Sequence, residues 1–308
     1  MATNPAIEKE NADDAPRTSV VVASCRTTSL LEACLASLRP QCKMCQAELI
    51  VARNVAEAEL ELLRQNYPEV RFLAVPESRG IPLLRAAGLK AARGSVVAFT
   101  EDHCVAATDW LQQLLRASRE GFDVVGGAMD NAQQGRAVDW AAYFSEYGFF
   151  AQKGGTHPQG PLLTGANVAY ARNVLEEVVS YAAQGEWENV IHAHLAAAGR
   201  KLRFFPDAVI YQNKNCGFLE FCRDRYQHGY DYARRRLVDK GTRRWLYMPG
   251  SLALPLLQTA RVARAVGRHQ RWAFLRALPL TVALFGAWSM GEAIGYWHGP
   301  AHMGKTNA

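Results

Sequence analysis

No GxGxxG motif follows the first apolar strand of this 308-residue chain, so the dinucleotide cradle of nicotinamide-dependent dehydrogenases is absent. The glycine-rich first loop with a following Arg and Lys that nucleotidyltransferases carry is missing as well. Seven cysteines, an odd number at irregular spacing, do not read as a disulfide framework. Cys42 and Cys45 form a CxxC pair with no second pair to complete a zinc site, so the cysteines are expected to be reduced and to pack as small apolar residues. The first seventeen residues contain no apolar core of the kind a targeting peptide needs and are expected to form a disordered tail. Uninterrupted apolar runs of about 20 residues are also lacking. The stretch 247–257 carries Pro249 and Pro255, and the stretch 273–291 is broken by Arg276 and bounded by Glu292.

Charge is concentrated instead of missing. Residues 223–276 hold thirteen Arg or Lys against three Asp, so the rest of the chain carries net −4 within a whole-chain charge of +6. A basic block beside apolar stretches points to an anionic lipid surface, and no nucleic-acid-binding motif accompanies it. Arg261, Arg264, Arg268 and Arg271 separate the two apolar stretches. We therefore expect an interfacial or re-entrant helical pair over 239–308, with its arginines at cytoplasmic headgroups; an ordinary amphipathic pair covering the domain is the alternative.

Residues 18–129 alternate between short β-branched runs and helical patterns, which predicts an α/β sheet with parallel pairing. Expected strands cover 18–23, 47–52, 70–75, 96–99 and 124–129, with helices near 30–38, 57–66, 82–93 and 110–119; Thr28 or Ser29 is placed to cap the first helix. Residues 131–163 show no clear period and are expected to be partly irregular, lining an acceptor cleft. Beyond them come a short strand at 168–170, helices at 172–181 and 188–198, a strand at 209–212, and an aromatic, basic helix at 218–238. The strand 96–99 ends in Glu101-Asp102-His103. Ligands of open α/β sheets bind outside the carboxyl ends of strands, so this triplet is the strongest candidate for holding a divalent metal.

In order along 18–238, the motifs resemble those of family 2 glycosyltransferases of the GT-A fold. Ser19 to Arg26 is similar to the family's opening strand and loop, and Glu77-Ser-Arg79-Gly80 to its Asn-Arg-Gly segment. The helix with Arg85 ends in a similar Ala-Gly-Leu, Glu101-Asp102-His103 stands where the family has its acidic triplet, and Asp109-Trp110-Leu111 follows. Thr164-Gly165-Ala166-Asn167 resembles the acceptor-side segment, Glu186-Trp187-Glu188 the segment carrying the base, and residues 287–297 the membrane-associated tail of some bacterial members.

The resemblance implies a GT-A mixed sheet flanked by helices over 18–238 and a membrane-associated helical segment over 239–308. It implies an inverting, metal-dependent transfer from a nucleotide sugar, a UDP-sugar in the first instance, to a lipid-linked or polysaccharide acceptor at the cytoplasmic membrane face. Asp102, His103 and Glu101 would hold Mn2+ or Mg2+, and an imidazole would favour Mn2+. Ala23, Ser24, Arg26, Arg79, Arg85 and Glu101 would bind the donor, and Gly165, Ala166, Asn167 and Trp187 the acceptor. Glu188 would be the general base, its carboxyl raised toward neutrality beside Trp187; a Glu at that helix start also simply complements the dipole. His192 and His194 face different sides of a helix and are expected to be structural. Two departures from the family stand out. The second strand ends in Ala52-Arg53-Asn54 where an Asp for the nucleoside is usual, and Gln212 occupies the place of a metal-binding His. These departures motivate a second reading, a non-catalytic member that binds nucleotide or lipid as a partner subunit.

Overall fold

The computed structural model describes residues 18–76, 80–151, 162–215, 217–240 and 244–299. Arg79 and the expected N-terminal tail lie outside these residues, as do 152–161 of the expected acceptor-cleft region.

Parallel pairing begins where β-branched runs recur. Strands β1 (Thr18–Ser24), β2 (Glu48–Arg53), β3 (Val70–Ala74) and β4 (Val96–Glu101) alternate with helices α1 (Thr28–Met44), α2 (Glu61–Asn66) and α3 (Ile81–Ala91). β1 pairs in parallel with β2 and β4, and β2 with β3. All seven residues of β1 are buried, as a central strand covered on both faces requires. Thr27, not Thr28 or Ser29, occupies the N-cap of α1, and it makes no side-chain cap; its hydroxyl lies 3.1 Å from that of Ser29 instead.

After β4 come β5 (Cys104–Ala106), α4 (Trp110–Ser118), β6 (Val124–Asn131), α5 (Ala137–Glu146), β7 (Asn167–Ala171), α6 (Arg172–Ala183), α7 (Glu188–Ala197) and β8 (Leu202–Gln212). The eight-stranded sheet has the order β3-β2-β1-β4-β7-β6-β8-β5. β7 runs antiparallel to both β4 and β6, so the sheet is mixed, as the family resemblance implies and as local alternation alone did not predict. β8 starts seven residues earlier than expected: its first half, Leu202–Asp207, is only partly buried, and Pro206 interrupts the strand pattern.

The chain forms two compact units, one from residues up to Gly127 with Pro161–Ile210, the other from Ala128–Gly160 with Tyr211–Ala308. The core of the first is built from β1, β2, β4 and β7 against α3, α6 and α7, with Val21, Ile50, Leu84, Phe99, Tyr170 and Val178 among its buried members.

The second unit is helical: α5, α8 (Phe218–Lys240), α9 (Arg244–Ser251), α10 (Leu254–Ala265) and α11 (Arg271–His298). The region 131–163 thus contributes a regular helix, α5, whose Phe144 packs edge-on against Phe274 of α11. α11 lies along α8, the aromatic, basic helix expected over 218–238. Their backbones meet where glycines permit it: a Cβ on Gly291 would fall 2.0 Å from the Tyr226 carbonyl oxygen, and one on Gly229 2.2 Å from that of Trp288. Glu292 is buried in α11 with both carboxylate oxygens bonded, to Trp288 Nε1 at 3.1 Å and Tyr296 Oη at 2.9 Å. Among the described residues, one segment, Arg268–His298, is long and apolar enough by length and composition to cross a membrane.

Candidate active site

The carboxyl ends of β1, β2 and β4 bring three side chains into one hydrogen-bonded relay. Register sets it up: Ala23 of β1 pairs with both Ala52 and Glu101, and Ser24 with Arg53. The chain turns after Glu101, and Asp102 N–H donates to the Ala23 carbonyl at 3.0 Å, which fixes the Asp102 carboxylate beneath the β1 loop. Asp102 Oδ2 accepts from Ser24 Oγ at 3.0 Å and from the Arg26 backbone N–H at 2.7 Å. Arg53 in turn donates to Ser24 Oγ and, at 3.3 Å, to Thr28 Oγ1.

Asp102 is fully buried, and its other oxygen, Oδ1, has no hydrogen-bond partner. A buried, unpartnered carboxylate oxygen is costly unless something occupies it. Burial pushes the Asp102 carboxyl up, but His103, the Arg26 N–H and the Ser24 hydroxyl outweigh that and hold it below its ordinary value, so the group is ionised. An ionised oxygen left open in this way suits a hard divalent cation. His103 Nδ1 lies 3.9 Å from that oxygen and 3.6 Å from Glu101 Oε2. Among the described residues, no three His, Cys, Asp or Glu side chains already converge as a metal cage. Asp102 therefore fits as an anchor whose remaining coordination would come from ligand and water, as Mg2+ and Mn2+ sites on phosphates commonly arrange.

Beside β4, α3 and α7 place Arg85 against Glu188. Arg85 is 0% exposed; its guanidinium stacks over the Phe99 ring at 4.7 Å and meets Glu188 Oε2 at 3.3–3.4 Å through Nη1 and Nη2. Its Nε has no partner. Glu188 is the first residue of α7, and its side chain keeps 23% of its surface exposed. Gly165 leaves room for this pair: a Cβ would sit 2.1 Å from Arg85 Nη2 and 2.9 Å from Glu188 Cδ, so a side chain here would displace one or both.

The charge state of Glu188 reverses the expectation from sequence. Burial raises its carboxyl, but the Arg85 guanidinium and the backbone N–H groups of Glu188 and Gly165, with a contribution from His192, bring it below the ordinary glutamate value. Trp187 is exposed and does not seal a dry pocket around it. Behind the pair, Tyr170 Oη and His192 Nε2 are 3.0 Å apart, and His192 Nδ1 is buried without a partner. Burial lowers His192 to about 4, against the pull of Glu188, so it is neutral. His194 stacks on Tyr181 on the other side of α7.

The acceptor-side segment divides. Gly165 lies at the Arg85–Glu188 pair, whereas Ala166 is buried with its carbonyl accepting from Thr100 Oγ1 at 2.8 Å. Asn167 is also fully buried, accepting from Trp110 Nε1 at 2.8 Å and donating to the Ala208 carbonyl at 2.9 Å. It ties α4 and β8 to the sheet. We expect Asn167→Leu to destabilise the fold by about 2–5 kcal/mol, because it strands two buried partners; a lower urea midpoint at unchanged slope would verify this.

Gln212, in the second unit, donates through Nε2 to Glu146 Oε2 at 2.9 Å, and Lys214 Nζ reaches the same oxygen at 2.6 Å. Arg53, Tyr170 and His192 were not assigned to the site from sequence. Arg53 had a signal, since it stands where the resemblance leads one to expect an Asp. Tyr170 reads as an ordinary apolar strand residue and had none.

Residues 19–179 match the family described as Glycosyl transferase family 2, a span that ends nine residues before Glu188. EpsH of Bacillus subtilis (strain 168), named a glycosyltransferase, is 29% identical over 115 residues, covering 36% of this chain and 33% of that protein. Polypeptide N-acetylgalactosaminyltransferase 4 of Mus musculus is 27% identical over 147 residues, 45% of this chain and 24% of that protein. The chain thus spans a third or less of the length of these curated relatives. Among solved structures, the mannosyltransferase PcManGT from Pyrobaculum calidifontis, in complex with GDP-Man and Mn2+, aligns over 92% of this chain and 86% of its own with a TM-score of 0.55 and 19% identity, which is a likeness of fold.

Proposed function

The chain belongs to glycosyl transferase family 2, and from that premise we propose that it is an inverting, metal-dependent glycosyltransferase using a nucleotide-sugar donor. The observation that carries this reading is the pairing of functions along one sheet edge. Asp102 leaves one ionised oxygen, Oδ1, without a hydrogen bond at the end of β4, and Glu188, with a half-buried side chain, stands beside the loop that leads into β7. The PcManGT complex with GDP-Man and Mn2+ has the same fold and supports the choice of a nucleoside diphosphate and a divalent cation.

A divalent cation, when bound, would neutralise charge developing on the departing diphosphate. Asp102 would hold it through Oδ1, with His103 and Glu101 adjacent. Arg26 would present its loop to the phosphates. Glu188 would take the proton of the acceptor hydroxyl, and a single displacement at the anomeric carbon then inverts its configuration. Arg85 orients Glu188 and keeps it ionised, so its charge serves the base more directly than the diphosphate. The test is turnover of a nucleotide-sugar panel with and without Mn2+: metal-dependent turnover lost in Asp102→Asn and Glu188→Gln supports the reading, whereas metal-independent turnover in both variants rejects it.

We assign the acceptor to the lipid-linked class, at the cytoplasmic membrane face, because of the second unit's surface. Trp272 is 78% and Leu256 73% exposed, and Trp245, Leu252, Leu275 and Trp297 are exposed as well. Arg261, Arg264, Arg268, Arg271 and Arg276 are exposed on the same helices and the turn between them. Exposed aromatic and leucine side chains flanked by arginines match an interfacial helix pair. Each arginine near an anionic surface contributes about 1 kcal/mol, so Arg261→Ser with Arg264→Ser is expected to weaken sedimentation with phosphatidylglycerol vesicles by about 30-fold. Wild-type protein that stays in the supernatant with such vesicles would rule the membrane assignment out.

A further inference from the structure

Arg53 is buried, only 8% exposed, and takes part in no ion pair among the described residues. Buried guanidinium groups are ordinarily matched by a carboxylate, because desolvating the charge alone is expensive. Here the partners are two hydroxyls, Ser24 Oγ and Thr28 Oγ1, which use two of the five N–H donors. Three donors remain. The side chain lines a cleft of about 150 Å3 between α1, the end of β2 and α2, whose other walls include Val55, Leu62, Leu63 and Asn66. Glu32 and Glu59 also line it but are exposed. At that volume the cleft takes one part of a ligand, since whole-ligand pockets start near ~300 Å3.

Which part follows from the order of strands. Along the sheet edge lie Arg53 on β2, Ser24 on β1, Glu101 and Asp102 at β4, and then the approach to β7 with Gly165, Arg85 and Glu188. If the diphosphate sits at Asp102, the sugar to be transferred must face Glu188, so the nucleoside extends the other way. β2 is two strand spacings from β4, about 10 Å, roughly the reach of a ribose and base.

We propose that Arg53 reads the nucleobase of the donor and selects bases that offer two adjacent hydrogen-bond acceptors. Guanine does so with O6 and N7, the pairing an arginine fork meets most often, and cytosine with O2 and N3; uracil and adenine place a donor beside each such acceptor. The UDP-sugar expected from the resemblance is thereby replaced by a guanine or cytosine nucleotide. This rests on the transferase reading for the placement of the diphosphate.

Calorimetric titration of full-length protein with GDP, CDP, UDP, ADP and inorganic pyrophosphate, each with Mn2+, tests it. Wild type is expected to bind GDP or CDP about 10- to 100-fold more tightly than UDP and ADP, and the GDP and CDP arms identify which base is read. Arg53→Met should erase that preference, lowering GDP or CDP affinity by a larger factor than it lowers pyrophosphate affinity. Arg53→Lys keeps a buried cation on the two hydroxyls but loses the planar fork, so it should fold and still lose the preference. A wild-type preference for UDP or ADP overturns the proposal, as does an equal loss for every nucleotide and pyrophosphate in Arg53→Lys. Base selectivity without sugar transfer would sink the transferase reading and leave the role of Arg53 standing; no nucleotide binding at all would end both.

Discussion

Replacing Glu188 by glutamine is expected to lower kcat by about 10²–10⁴-fold with nucleotide affinity unchanged. Glutamine keeps the size of the side chain and its contact with Arg85 but cannot accept the acceptor's proton. The wild-type pH profile should carry the mark of the ion pair. Glu188 acts as the carboxylate, and its folded-state value is depressed, so activity should persist to pH values below the ordinary glutamate range and fall only as pH drops through the depressed value. Stability follows the same sign: the pair's contribution is fully present above the unfolded-state value and is lost as pH falls through the folded one. In Arg85→Met the guanidinium is gone while burial and the backbone N–H donors remain, so the acid limb of kcat/KM should move upward. An acid limb that does not move in Arg85→Met would mean that the pair seen at 3.3 Å is absent when the enzyme works. Such an arrangement holds the base in one place and in one charge state, at some cost in basicity.

Asp102→Asn should be comparably severe, for a different reason. The aspartate divides its oxygens between two jobs: Oδ2 takes two donors that lock the β1 loop, and Oδ1 is left open. An asparagine cannot do both with charge, because its amide nitrogen must either face the Ser24 and Arg26 donors or replace the open oxygen. Losing several kcal/mol of transition-state charge stabilisation corresponds to a drop in kcat of about 10²–10³-fold, and the Mn2+ concentration needed for half-maximal rate should rise. Electron paramagnetic resonance titration of free Mn2+ would report the binding loss separately from turnover. If Mn2+ binds equally well to Asp102→Asn, the open oxygen is not the metal's anchor.

Much of this site could be read along the chain because its parts are local. An apolar run that stops at Glu101-Asp102-His103 marks the carboxyl end of a strand, and a polar loop after 18–23 marks another. The β1–β4 pairing then brings them together by ordinary sheet register. Glu188 was legible only through the resemblance of Glu186-Trp187-Glu188 to the family's base segment, since a glutamate at a helix start by itself reads as a complement to the dipole. What was not legible were partners more than 25 residues apart. Nothing near Arg85 foretells Glu188, 103 residues later, and that distant guanidinium, together with backbone N–H donors, offsets burial and sends the carboxyl down instead of up. Asn167 was placed on the acceptor side by the resemblance of Thr164-Gly165-Ala166-Asn167 to the family's segment; its amide bonds Trp110 and Ala208.

Residue pattern alone therefore determined that this is an α/β chain with an acidic triplet at a strand end and a basic, apolar tail, since periodicity and strand termini are properties of neighbouring residues. Tertiary structure decided the direction of β7, the charge state of Glu188, the confinement of Asn167 and the burial of Arg53 against two hydroxyls. Each of those depends on which distant groups share a low-dielectric space, and electrostatic interactions there are set by separations of a few ångströms that only the packed chain defines.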